Sequence, residues 1–171
     1  NIFPDSFANE KENLKIQSHD ILTESGNRSK SRLGGTIKGI LMNLDYIQEL
    51  GFNCIYLNPI FSAGEYHKYD IWDYYHVDPC LGTDEDFGCL ADEVHRRDKH
   101  LIIDGVFNHC SWHFFAFEDV VRNGENSVYK DWFYDLEFPV VRPEDEKLPN
   151  YACFAYEKKM PKLNTANKEV Q

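Results

Sequence analysis

An α/β fold on a parallel sheet is predicted by three features of this 171-residue chain. Apolar residues recur at helical spacing from Ile37 to Leu50, and again from Phe87 to Val94. Each stretch is followed at once by a short apolar run, residues 53–58 and 101–110. Helix, strand, helix, strand with short joints requires parallel strands linked by right-handed crossovers.

Taken in order, Thr36 is placed to cap a first helix whose apolar positions are Ile37, Ile40, Leu41, Leu44, Ile47 and Leu50, ending at Gly51. Residues 53–58 then form a buried strand stopped by Pro59. Thr83 and Asp86 have the spacing of a capping box before Phe87, Leu90, Ala91 and Val94, which starts a second helix reaching about Lys99. The strand at 101–110 comes next. Residues 8–35, polar and rich in Ser, Asn, Lys and Gly, read as a long loop. Residues 110–164 hold many aromatics and four prolines, and read as an irregular excursion with a short helix at 117–122. Residues 1–4 read as the last part of a strand, and 165–171 as the first turn of a helix capped by Asn167. A sheet of about three strands would leave one edge bare.

Composition narrows the function. A net charge of −11 argues against nucleic acid. No apolar run approaches transmembrane length and nothing at the start resembles a signal peptide; the cytoplasmic expectation rests on the cysteines. Five cysteines, Cys54, Cys80, Cys89, Cys110 and Cys153, lack any CxxC spacing and read as reduced, buried thiols. Aromatics make up 15% of the chain and crowd between Tyr66 and Phe138; their faces suit sugar rings and cores alike.

The stretch LIIDGVFNHC carries the chemistry worth weighing. If the strand runs through it, Ile102, Asp104, Val106 and Asn108 share one face, and His109 lies where strand becomes loop. A carboxylate at the end of a buried strand is either part of a site or a structural tie for a loop. Six of the seven histidines, His67, His76, His95, His100, His109 and His113, raise a metallohydrolase as a rival, but none forms a His-x-His pair on a strand.

DGVFNH, Asp104 to His109, resembles the first signature region of the α-amylase family of glycoside hydrolases. The resemblance extends through IFPDSFAN, GGTIKGI, LDYIQELGFNCIYLNPIF and HKYDIWDYYHVDPCLGT, and ends at MPKLN, Met160 to Asn164. That last form resembles the neopullulanase, cyclomaltodextrinase and maltogenic amylase group. Two positions depart from the usual pattern: Gly105 replaces alanine or valine, and Thr36 stands where GGD is common.

The resemblance implies a partial (β/α)₈ TIM barrel, about strands one to three. Residues 1–109 would be the first part of the catalytic domain, 110–164 the domain inserted after strand three, and 165–171 the start of the next barrel helix. The implied substrate is an α-glucan: cyclodextrin, pullulan, starch or maltooligosaccharide, cut with retention at α-1,4 or α-1,6 bonds. Tyr69 would stack on the sugar, Asp70 shape the pocket, and His109 bond a sugar hydroxyl. Asp104 and Asn108 would support the site, and Met160 and Asn164 line its edge. No cofactor is implied; calcium is possible in a full-length protein, through Asn108. Retaining hydrolysis needs a nucleophile and an acid, which the resemblance places beyond Gln171, so residues 1–171 are expected to be inactive alone. Asp104, without its family arginine partner, would be solvated or find a substitute, and would form no buried salt bridge with Arg or Lys. Apolar faces left open would favour a homodimer. A non-catalytic, amylase-like binding or assembly protein is the alternative.

Overall fold

The computed structural model describes residues 1–11 and 32–171, so most of the loop expected at 8–35 lies outside the described residues. Eight regular elements are named here: α1 (Ile37–Met42), α2 (Leu44–Glu49), β1 (Cys54–Leu57), β2 (Phe61–Ala63), β3 (Ile71–Val77), α3 (Asp84–Arg96), β4 (His100–Ile103) and α4 (Phe115–Asn123). The chain divides into two compact units, Asn1–Lys68 with Tyr74–Gly105, and Tyr69–Asp73 with Val106–Gln171. The boundary between these units lies between Gly105 and Val106, and a short piece around Asp70 belongs to the second.

In the first unit β1 and β4 pair in parallel, with Tyr56 opposite Ile102 and Leu57 opposite Ile103. On the other side of β1, Ile2 bridges Leu57, also in parallel; its N–H donates to the Tyr56 carbonyl at 2.7 Å. Three parallel segments thus lie in the order 2, 57, 103. Ile55 and Leu57 turn toward the helices and join Ile37, Ile40, Leu44, Ile47, Leu90 and Val94 in one core. β2 and β3 form a separate pair that helical and strand periodicity do not reveal.

The helix expected over 36–50 is two helices. Thr36 caps α1 as expected, its Oγ1 accepting the Gly39 N–H at 2.9 Å. Asn43 then leaves helical geometry, and its side-chain amide donates to the Gly39 carbonyl at 2.7 Å. That bond competes with the helical ladder and ends α1. The capping box of α3 is present in both directions, between Thr83 and Asp86 at 3.1 and 3.0 Å.

GGTIKG packs close against the chain start. A Cβ at Gly35 would lie 2.1 Å from the Pro4 carbonyl oxygen, and one at Gly39 would lie 2.0 Å from that of Ala8. Only glycine lets these backbones meet, through bonds such as Thr36 N–H to the Ala8 carbonyl at 2.8 Å.

The strand through LIIDGVFNHC is shorter than expected and ends at Ile103. Its partner β1 stops before Pro59, which has no N–H to extend the ladder. The shared face of Ile102, Asp104, Val106 and Asn108 is accordingly absent: Ile102 is 46% exposed whereas Val106 is buried.

The second unit has an aromatic core. Phe117, on α4, is fully buried with Trp112, Phe133 and Tyr151 around it at ring separations of 5.1, 4.8 and 5.2 Å. The Tyr151 hydroxyl donates to the Lys158 carbonyl, and burial raises its pKa. The helix expected to start at 165 is a run of turns instead. Asn164 Oδ1 accepts the Ala166 N–H and Asn167 Oδ1 accepts the Glu169 N–H, at 3.2 and 2.9 Å, so asparagine side chains replace the helical ladder.

Candidate functional site

His109 is the best-defined side chain of the second unit's candidate set. It is buried, held where the backbone at 109 bridges residue 162. Its Nε2 lies 3.0 Å from the Tyr69 carbonyl oxygen. A carbonyl only accepts, so Nε2 carries the proton, and Nδ1 accepts from the Asn108 side-chain amide at 3.2 Å. Phe154 covers one ring face, with centroids 4.7 Å apart and planes 20° from parallel. Both ring nitrogens are therefore engaged, and a ligand hydroxyl would share the Nε2 proton with Tyr69.

The other predicted residues of this unit fall into two environments. Asp70 is buried and Tyr69 half-buried, directly before β3, and Ile71 accepts the Ser111 N–H at 2.8 Å. Asn108 is exposed, and its carbonyl accepts the Leu163 N–H at 3.0 Å. Met160 and Asn164 are half-buried. The Met160 carbonyl accepts from Phe154, and the Asn164 amide donates to the Asp131 carbonyl at 2.9 Å. A depression of about 360 Å³ also opens in this unit, between Trp112, His113, Glu118, Arg122, Arg142 and Glu144; none of the predicted site residues lines it.

Asp104 belongs to the first unit. It is half-buried, its N–H completes a bond to the Leu57 carbonyl at 2.9 Å, and Tyr56 donates its hydroxyl to the carboxylate. The Tyr56 phenol is raised above its ordinary pKa, by burial first and by the Asp104 charge and hydrogen bond next.

Two carboxylates that sequence reasoning passed over organise the first unit. Asp5 is buried and accepts the N–H groups of Leu33 and Gly34 at 2.8 and 3.1 Å and the Tyr66 hydroxyl. Asp78 forms a buried ion pair with Lys68 at 2.5 Å and also accepts the Cys80 N–H at 2.9 Å. Lys68 has a φ of 64°, a left-handed conformation unusual for a side chain of its size. The signal for Asp5 was its place in IFPDSFAN, and for Lys68 and Asp78 their place in HKYDIWDYYHVDPCLGT; that the two pair with each other is set by the fold.

Calcium needs six to eight oxygens with carboxylates among them. Among the described residues no three His, Cys, Asp or Glu side chains gather to hold an ion, and the Asn108 carbonyl is already engaged. The described residues likewise do not gather the histidines of the metallohydrolase rival into a three-ligand cluster. All five cysteines are free; Cys110 is buried with its thiol pKa pushed up by burial, whereas Cys80 and Cys89 are exposed, contrary to the expectation of burial. Among the described residues no helix is long and apolar enough to cross a membrane.

Parallel segments at Ile2, β1 and β4, with helices packed on β1, define an α/β chain. The chain belongs to the α-amylase family: the family model for the α-amylase catalytic domain matches residues 1–171. It is 42% identical to a cyclomaltodextrinase of Geobacillus thermopakistaniensis and 44% identical to an intracellular maltogenic amylase of Bacillus subtilis, covering 99% of this chain and 28% of each relative. It is 42% identical to neopullulanase 2 of Thermoactinomyces vulgaris over 99% of this chain and 29% of that one. Among solved structures, the ligand-free cyclic α-maltosyl-(1→6)-maltose hydrolase of Arthrobacter globiformis is similar with a TM-score of 0.83 at 37% identity, over 99% of this chain and 38% of that one. The debranching enzyme of Nostoc punctiforme follows with a TM-score of 0.81 at 39% identity, over 99% and 36%. The chain thus spans under a third of the length of these curated relatives.

Proposed function

We propose that residues 1–171 supply part of the α-glucan-binding cleft of a retaining glycoside hydrolase acting on cyclodextrin, pullulan, starch or maltooligosaccharides. The observation that carries this reading is the oriented His109, its tautomer set by Tyr69 and Asn108 inside a family signature. In this reading Tyr69 stacks on a sugar, Asp70 shapes the pocket and His109 shares its Nε2 proton with a sugar hydroxyl. Asp104 and Asn108 brace the site, and Met160 and Asn164 form its edge. The segments at Ile2, β1 and β4 correspond to the first three strands of a (β/α)₈ barrel, and the second unit to its inserted domain. Hydrolysis by two carboxylates needs no cofactor. We assign neither nucleophile nor acid to residues 1–171, so this chain binds glucan without cleaving it. The free thiols and the family relatives support a cytoplasmic setting, and the half-exposed Ile102 on β4 supports self-association.

Isothermal titration with maltoheptaose and a reducing-end assay on pullulan and β-cyclodextrin test this reading together. Binding without release of reducing ends is expected. Measurable cleavage would overturn the assignment of no catalytic carboxylate, and absence of binding would overturn the cleft.

A further inference from the structure

Phe154, Ala155 and Tyr156 make a turn whose backbone is unusual. Ala155 and Tyr156 have φ values of 49° and 64°, two left-handed residues in succession with no glycine. Such conformations are retained only where the surroundings impose them, and they concentrate at ligand clamps. Here the imposing bonds are visible. The Phe154 N–H donates to the Met160 carbonyl at 2.9 Å, the Glu157 N–H to Phe154 at 2.8 Å, and the Met160 N–H to Glu157 at 2.9 Å. The Phe154 ring then lies flat on His109. One end of the turn is fastened to a buried imidazole; the other sends the Tyr156 side chain outward, 87% exposed. The Tyr156 backbone also bonds the Cys153 thiol, so the turn is fixed at both ends while, among the described residues, the tyrosine ring itself adds little to packing.

We propose that Tyr156 is a sugar-stacking residue of the same site, its ring receiving the C–H face of a pyranose while Phe154 ties the turn to His109. The proposal rests on the glucan-binding reading given above. An aromatic π face attracts the slightly positive C–H groups of a sugar face, and the interaction needs the ring and not the hydroxyl.

The test is isothermal titration of the 171-residue chain with maltoheptaose, repeated for Tyr156→Ala, Tyr156→Leu and Tyr156→Phe. Tyr46→Ala, at an exposed tyrosine of α2, is the control. Tyr156→Ala and Tyr156→Leu should each weaken binding roughly five- to tenfold, the size of an aromatic contact, with unchanged thermal midpoints. Tyr156→Phe and Tyr46→Ala should stay within about twofold of the original. Leucine preserves bulk without a π face, so it guards against a simple folding defect. If the unsubstituted chain binds and both variants bind as well as it does, this proposal alone fails. If the unsubstituted chain does not bind maltoheptaose, the glucan-binding reading fails and takes this proposal with it.

Discussion

Asp78 and Lys68 show how much one residue pair can carry. Both side chains are about 5% exposed and meet at 2.5 Å. Removing Lys68 leaves the buried Asp78 charge with only Arg32, at 3.8 Å, and the backbone N–H groups of Ala63 and Cys80, so the cost falls toward the lower end of about 3–5 kcal/mol. Lys68→Met should therefore lower stability by about that amount, read as a fall in the urea midpoint. Tyr56 offers a spectroscopic check on Asp104. Because the carboxylate helps to raise the phenol pKa, Asp104→Asn should lower it, leaving the part due to burial; ultraviolet titration of the tyrosinate band reads this directly. A Tyr56 pKa unchanged in Asp104→Asn would mean the two groups do not interact. At this scale the sequence singled out Asp104 and His109 through their place in DGVFNH. It could not show that His109 is held by a backbone carbonyl forty residues away, or that Lys68 finds Asp78.

Elements obeyed local rules where local chemistry was strong. The Thr83 capping box and the Thr36 cap formed as their side chains dictate. α3 closes with Glu93 accepting from Arg96 at 2.6 Å and from Arg97 at 2.8 Å, and these bonds hold the Glu93 carboxyl at about 2. A carboxyl lowered on folding stabilises the native state above its unfolded pKa and loses that contribution as pH falls through the folded one. The difference in urea midpoint between the original chain and Glu93→Gln should be constant above about pH 5 and shrink toward zero by about pH 2. At α1 the deciding constraint is space. Gly39→Ala puts a methyl 2.0 Å from a backbone oxygen that cannot yield without moving the chain start. A loss of at least about 1–3 kcal/mol is expected, measurable by thermal or urea unfolding. Periodicity failed at Asn43, where a side-chain amide cut a regular apolar pattern into two helices. It failed again at residues 165–171, where asparagine turns replaced a helix.

For the whole molecule, order and composition established the α/β class, since helix and strand patterns alternate with short joints. The parallel order of Ile2, β1 and β4 follows from that alternation, because short crossovers permit little else. The family, too, was legible, since its motifs are contiguous stretches whose order survives without any coordinates. The division into units was not legible. Residues 69–73 are contiguous in sequence with the first unit but pack with the second, a fact set by contacts between distant segments. Ionic and aromatic partnerships were likewise decided only by tertiary structure, among them Asp5 with Tyr66, Lys68 with Asp78, and His109 with Tyr69 and Phe154. Caps, turns and periodicity act within a few residues and can be read along the chain. A buried charge or a caged imidazole depends on groups tens of residues apart, which only the folded backbone brings within reach.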